Sequence, residues 1–211
     1  MSATATSMLS PLIKGIWNFD DFAQDAEEVR ERVISGAFRS HVGPDGATYT
    51  GISDVPVPHW PDRIAECIGA PIEPKLSCFR INYAGEMPHS WVHSDDICAK
   101  YASVLYLNPP EQCQGGTAFW RHEGLRIDHL PTREQIAASG FGADWFLEMM
   151  TREWKELKYW RQVGFVPMQF NRFITYPTSL FHSRYPFEGF GTTPADGRLI
   201  WICFYDIKGE A

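Results

Sequence analysis

The spacing of apolar positions changes character near residue 76. Upstream, Phe22, Ala26, Val29 and Val33 recur three and four apart within Asn18–Phe38, while Glu27, Glu28, Arg30, Glu31 and Arg32 fill the other faces. That is the pattern of a helix with one buried stripe and a solvated remainder. Asp20 or Asp21 stands where a cap is needed. Residues 40–58 are rich in Gly, Pro and Asp and read as loop with a short strand. Pro61 opens a second helix that runs through Ile64 and Ile68 and stops at Gly69 and Pro71.

From Leu76 onward the runs are short, aromatic or β-branched, and bounded by Gly, Pro or Asn. Segments 76–83, 101–107, 116–120, 171–176 and 198–205 read as strands. Residues 132–138 and 143–161 read as helical. Phe146, Met150, Trp154 and Leu157 form one stripe there, with Trp145, Met149 and Trp160 beside it. A helix packed on a sheet explains this stripe, and a lid over a pocket is the alternative. Helices first, strands after and one interruption predict an α+β, mainly β, barrel-like fold. Its parts are N-terminal supporting helices and a helical insertion at 132–161. One domain spanning 1–211 is expected, with residues 1–12 as a flexible arm.

Composition narrows the field. Hydrophobic residues make up 44% of 211, enough for a substantial core. The formal charge of −7 shows no basic excess, so no nucleic-acid partner is expected. Fourteen Phe, eight Tyr and eight Trp suit a β-rich core or an aromatic pocket. The five cysteines are odd in number and form no C-x-x-C, which predicts reduced thiols in a cytoplasmic protein. The first residues lack a basic start followed by an apolar run, and no stretch is long and apolar enough for a membrane span. The oligomeric state is open.

The candidate chemistry lies in His93-Ser94-Asp95 and the distant His182. On an extended segment His93 and Asp95 point to one side, with Ser94 turned away. Two imidazoles and one carboxylate occupy one face of a metal ion and leave its other positions free, a set suited to non-haem Fe(II). Asp96 is the rival acid but faces away from His93 on an extended strand. His59, His89, His122 and His129 have no matching carboxylate context and read as structural.

The order of the surrounding motifs adds to this. Tyr83-Ala84-Gly85 is followed by His93-Ser94-Asp95, Tyr106-Leu107-Asn108, Gly115-Gly116, Phe181-His182-Ser183 and the strand opened by Arg198. Over residues 76 to 206 this resembles the 2-oxoglutarate- and Fe(II)-dependent dioxygenases, most closely their prolyl-hydroxylase-like branch. The resemblance implies a double-stranded β-helix (a cupin-like jelly roll) with His93, Asp95 and His182 as iron ligands. It implies that Arg198 holds the distal carboxylate of 2-oxoglutarate, which suits a planar two-pronged guanidinium. Tyr83 and Tyr106 are candidates to contact the cosubstrate, and plain core packing accounts for both equally well. Two spacings depart from the family pattern. The Tyr83 element is one residue short, and Arg198 follows His182 by more residues than usual. An enlarged loop at 187–197 absorbs that excess. Arg184 is the runner-up anchor, placed beside the metal rather than deep in the barrel.

The implied activity uses O2 to decarboxylate 2-oxoglutarate oxidatively, with ascorbate as a candidate reductant. Hydroxylation of a small molecule, amino acid or peptide is the default outcome. Trp91, Trp120, Trp145 and Trp160 are candidates for the pocket wall or for ordinary core. Two other readings use the same residues: a cupin-like metal-dependent hydrolase or isomerase, and a non-catalytic binding module. The first gives Arg198 no duty, and an intact triad disfavours the second.

Overall fold

Two antiparallel sheets face one another across an apolar interior, and helices cover the outside of the larger one. The computed structural model describes residues 15–43, 46–88, 91–95, 99–140 and 142–210. The expected arm at 1–12, His89 and Asp96 lie outside these residues. The elements in chain order are β1 (Trp17–Phe19), α1 (Ala26–Ile34), β2 (Arg39–Val42), β3 (Thr48–Ser53), α2 (Trp60–Ile68), β4 (Ile72–Asn82), β5 (Tyr101–Tyr106), β6 (Gly116–His122), α3 (Arg133–Ala138), α4 (Ala143–Glu153), β7 (Trp160–Pro167), β8 (Phe173–Pro177), β9 (His182–Tyr185) and β10 (Arg198–Ile207). The larger sheet has the order β1-β8-β5-β10-β4-β3-β2, and the smaller is β7-β6-β9.

Strand β10 shows how the layers arise. Its residues are apolar almost throughout because both of its faces are covered. Leu199, Trp201, Cys203 and Tyr205 point to one side and pack with Phe22, Val29, Trp60 and Ile64 from the helical layer. Ile200, Ile202 and Phe204 point to the other side and meet Val104, Tyr106, Phe119, Val166 and Ile174 between the sheets. The two-residue repeat of a strand separates these sets, and it also sends Arg198 to the inner side.

Trp60 is the keystone of the outer layer. It is fully buried, edge-on to Trp201 at 5.1 Å and to Phe79 at 5.7 Å. Its indole N–H donates to Asp25 at 2.9 Å. Trp60→Ala is expected to cost about 3–5 kcal/mol of stability, the usual range for emptying a large aromatic site. Urea denaturation measures it, and a cost below about 1 kcal/mol would contradict the assigned packing.

Two expected helices are shorter than their sequence patterns. The first begins at Ala26 rather than Asn18, because residues 17–19 instead pair with β8, Trp17 opposite Thr175. Asp20 is taken by Arg172, which holds it with two hydrogen bonds of 2.6 and 2.9 Å. Asp25 occupies the cap position in place of Asp20 or Asp21. Phe22 keeps its core role from outside the helix, stacked on Phe173 at 4.4 Å.

The helix expected over 143–161 ends at Glu153, and Trp160 opens β7, which pairs with β6 from His122↔Trp160 to Gly116↔Pro167. The edge of β6 is satisfied by this pairing, which a longer helix would forfeit. Buried Glu153 marks the change of structure. Its carboxylate meets His122 at 2.9 Å and Arg152 at 2.7 Å, and its carbonyl accepts from the Trp160 indole. The insertion packs largely on itself, with Phe146 and Met149 against Ile136. Among the described residues no helix is long and apolar enough to cross a membrane.

Candidate active site

His93 and His182 lie opposite one another in an isolated antiparallel bridge. Each main-chain N–H donates to the other's carbonyl, at 3.0 and 2.9 Å. The bridge sets the rings side by side, centroids 4.5 Å apart. Asp95 is fixed two residues on, where its N–H donates to the Thr178 carbonyl at 2.8 Å. Its carboxylate then reaches both rings, 3.1 Å from His182 Nε2 and 3.7 Å from His93 Nε2. One ligand atom from each of the three residues lies within 4.8 Å of the others. The insertion supports this segment through its main chain, since the Val92 N–H donates to the Trp154 carbonyl at 3.1 Å.

Hydrogen bonding and burial prepare these groups for a metal. The His182 Nδ1–H donates to the Leu180 carbonyl at 2.8 Å, which turns the lone pair of Nε2 toward Asp95. Burial and the adjacent His182 ring bring His93 down to about 4, so its imidazole is neutral near pH 7. Burial works against ionisation of Asp95. The two imidazoles outweigh it and bring the carboxyl down to about 2. Two imidazoles and one carboxylate on one side of a shared point match the donor set for Fe(II) and leave the opposite side open.

Arg198 stands on the same inner face. It is 5% exposed, with its guanidinium carbon 6.0 Å from the centre of the Tyr106 ring. Asn108 sets its position by clamping the chain on both sides. The Asn108 amide donates to the Gly197 carbonyl and its oxygen accepts from the Leu199 N–H, both at 2.8 Å. Tyr106 is held by a 2.7 Å hydrogen bond between its hydroxyl and Thr117. No carboxylate among the described residues pairs with Arg198. A buried guanidinium without a counter-ion is costly, which marks a place made for an acid.

The structure does not bring Tyr83 to this group. Tyr83 follows Ile81 and shares its side of the chain, and both crowd Gly197, where a Cβ would lie 2.8 Å from each. The inner positions of β4 are instead Arg80 and Asn82, the register partners of Ile200 and Arg198. The second tyrosine near this group is Tyr176, buried with its ring 4.8 Å from His182. The sequence pattern marked 171–176 as a strand, but only the pairing of Tyr176 with Ala102 shows which side it faces. Arg184 lies two residues beyond His182 and donates to the carbonyls of Phe187 and Glu86.

Three other described histidines have acid partners, His59 with Asp25, His122 with Glu153 and His129 with Asp128, while His41 is exposed on β2. Trp120 and Trp160 pack with Val92, Phe181 and Phe187 in a separate core, with Trp91 partly buried against it, and Trp145 is exposed. Cys67, Cys78, Cys113 and Cys203 are free thiols.

Residues 83–205, which carry the three candidate ligand residues and Arg198, match the model of a family of unknown function, DUF6445. The chain belongs to DUF6445. Among curated proteins none matches this DUF6445 chain. Solved structures do. The non-heme alpha ketoglutarate dependent carbocyclase SnoK from nogalamycin biosynthesis is 14% identical, with 90% of this chain and 79% of that one covered and a TM-score of 0.51. A prolyl hydroxylase in complex with a hypoxia inducible factor peptide fragment, from Trichoplax adhaerens, is 10% identical, with 90% and 83% covered and a TM-score of 0.50. AviO1 from Streptomyces viridochromogenes Tue57 is 12% identical, with 93% and 91% covered and a TM-score of 0.50. At such identities the likeness is one of fold. The DUF6445 chain has the jelly-roll fold of the 2-oxoglutarate-dependent oxygenases, as its motif order implied.

Proposed function

We propose that this DUF6445 protein is an Fe(II)- and 2-oxoglutarate-dependent oxygenase, with hydroxylation of a small molecule or peptide as its default outcome. The observation that carries the proposal is the pairing of two features on one inner face. His93, Asp95 and His182 present a metal donor set, and Arg198 presents a buried, uncompensated cation. A dicarboxylate that chelates a metal at one end needs a second anchor at the other. When bound, iron and the cosubstrate supply an oxidant for C–H bonds and leave succinate and carbon dioxide.

The chain's own residues bind, orient and exclude water. Arg198 receives the distal carboxylate through its fork, with Asn108 fixing the strand start that carries it. Tyr106 and Tyr176 line the space between anchor and metal donors. The apolar side chains of Val104, Ile174 and Ile200 close the interior behind them, which keeps the reacting groups from water. Related folds serve a carbocyclase and a prolyl hydroxylase, so the fate of the substrate is set by how it is oriented over the metal.

Anaerobic titration with Fe(II) and 2-oxoglutarate is expected to produce the visible charge-transfer band of the chelate. Admission of air with ascorbate should then release succinate. Metal binding with neither band nor succinate would end the oxygenase reading and favour a hydrolase or isomerase on the same three residues.

A further inference from the structure

Three guanidinium groups crowd the inner face, and the proposed oxygenase chemistry employs one. Arg198 pairs in register with Asn82, and Arg80 with Ile200, so Arg80 and Arg198 are diagonal neighbours on the same side of β4 and β10. Arg184 enters from β9, two residues from His182 and opposite Thr117. Its hydrogen bond to the Glu86 carbonyl carries it across to the end of β4. Elsewhere arginines that approach acids pair with them: Arg30, Arg39, Arg152 and Arg172 each meet a carboxylate. Among the described residues no carboxylate pairs with Arg80 or Arg184.

The local acids are otherwise engaged. Asp95 belongs to the metal donors. The Glu86 carboxylate accepts from the Asn82 amide at 3.2 Å, and that of exposed Glu188 from the Gly85 N–H at 2.8 Å. Arg80 is the more telling residue. Its Nε is buried without any hydrogen-bond partner, and its guanidinium lies 4.8 Å over the Tyr49 ring. Tyr49 thus backs the group while its Nε–H donor stays unspent. Arg184 spends Nε and one terminal nitrogen on carbonyls and keeps the other. A divalent metal and a dianionic cosubstrate would neutralise each other and leave Arg80 and Arg184 without a paired anion.

We propose that Arg80, supported by Arg184, is an oxyanion subsite for the substrate, which is therefore a small molecule carrying a carboxylate or phosphate. The proposal rests on the oxygenase reading, because 2-oxoglutarate already has Arg198 and the metal for its two acids. A bound oxyanion would satisfy the stranded Arg80 Nε–H and fix the substrate on the metal side of the pocket.

Calorimetry on the protein loaded with Fe(II) and 2-oxoglutarate under nitrogen tests this, with N-acetylglycine as the carboxylate probe and inorganic phosphate as the other. One probe is expected to bind once per chain, and its identity names the anion. Arg80→Gln should weaken that binding about tenfold or more, and Arg80→Lys should recover part of it. Affinity for 2-oxoglutarate should stay within about threefold of wild type in both variants, against the large loss expected on removing its own arginine anchor. Binding of neither probe to wild type would overturn the proposal. So would unchanged binding in both variants, or a parallel loss of 2-oxoglutarate affinity that gives Arg80 to the cosubstrate. Failure of 2-oxoglutarate to load wild type would instead defeat the oxygenase reading. The probes are then titrated onto the metal-only protein, where the Arg80 variants decide the subsite by the same criterion.

Discussion

His93→Ala is expected to weaken Fe(II) binding by at least about 100-fold and to abolish the charge-transfer band, since even the outer partners of metal ligands cost 10- to 100-fold when removed. The loss should be local. The bridge that positions residue 93 is made by main-chain groups of His93 and His182, which an alanine retains. The side chain is only partly buried, 31% exposed, so its removal leaves no large sealed cavity. His182→Ala should lose the metal too, but with a stability cost, because that ring is 4% exposed and packs on Tyr176. Metal affinity measured by competition with a chelator, alongside thermal melts of the metal-free proteins, separates the two cases. A His93→Ala protein that binds Fe(II) like wild type would remove the residue from the site and the proposed chemistry with it.

Arg198→Ala is expected to reduce affinity for 2-oxoglutarate by about 2–5 kcal/mol, roughly 30- to several-thousand-fold, while metal affinity stays unchanged. The size follows from burial. A guanidinium–carboxylate pair out of water is worth far more than one at the surface, and its loss strands the partner's charge. Arg198→Lys should fall between, because an ammonium keeps the charge and loses the fork. Titration of 2-oxoglutarate into the metal-loaded variants, read by the visible band, gives both numbers. Equal affinity in wild type and Arg198→Ala would move the anchor to Arg80 or Arg184, the other two guanidinium groups on that face.

Parts of this site were legible without coordinates, and the reason is periodicity. His93 and Asp95 fall two apart on an extended segment, so their common side follows from strand geometry alone. Arg198 opens a run that alternates between two buried faces, and its place at the head of a strand was clear from Gly197 and the apolar residues after it. Gly115-Gly116 read as a tight turn into a strand. In the structure Gly115 has φ +69 and a Cβ on Gly116 would lie 2.1 Å from the Val166 carbonyl.

Other parts required partners distant in sequence. Alternation says that Tyr83 and Asn82 face opposite ways but not which one faces inward; the register of β4 with β10 decides that, and it puts Asn82 beside Arg198. The helical stripe over 143–161 was broken by β6, whose free edge took residues 160–167 as a strand. Residues 17–19 went to β8 for the same reason. Strands β1, β2 and β9 are three or four residues long, too short for their own pattern to announce them.

The sequence by itself determined the chemical vocabulary: two imidazoles, one carboxylate and one arginine, in an order that implied a jelly roll, and a strand period that sets neighbours on opposite faces. Only the tertiary structure decided which residues share the interior. It joined His93 to His182 through a bridge 89 residues long in sequence, chose Tyr176 and Arg80 over Tyr83, and left Arg80, Arg184 and Arg198 on one face without a paired carboxylate among the described residues. The physical reason is that side-chain direction along a strand is local, whereas the face that becomes the inside is chosen by backbone pairing between strands far apart in the chain.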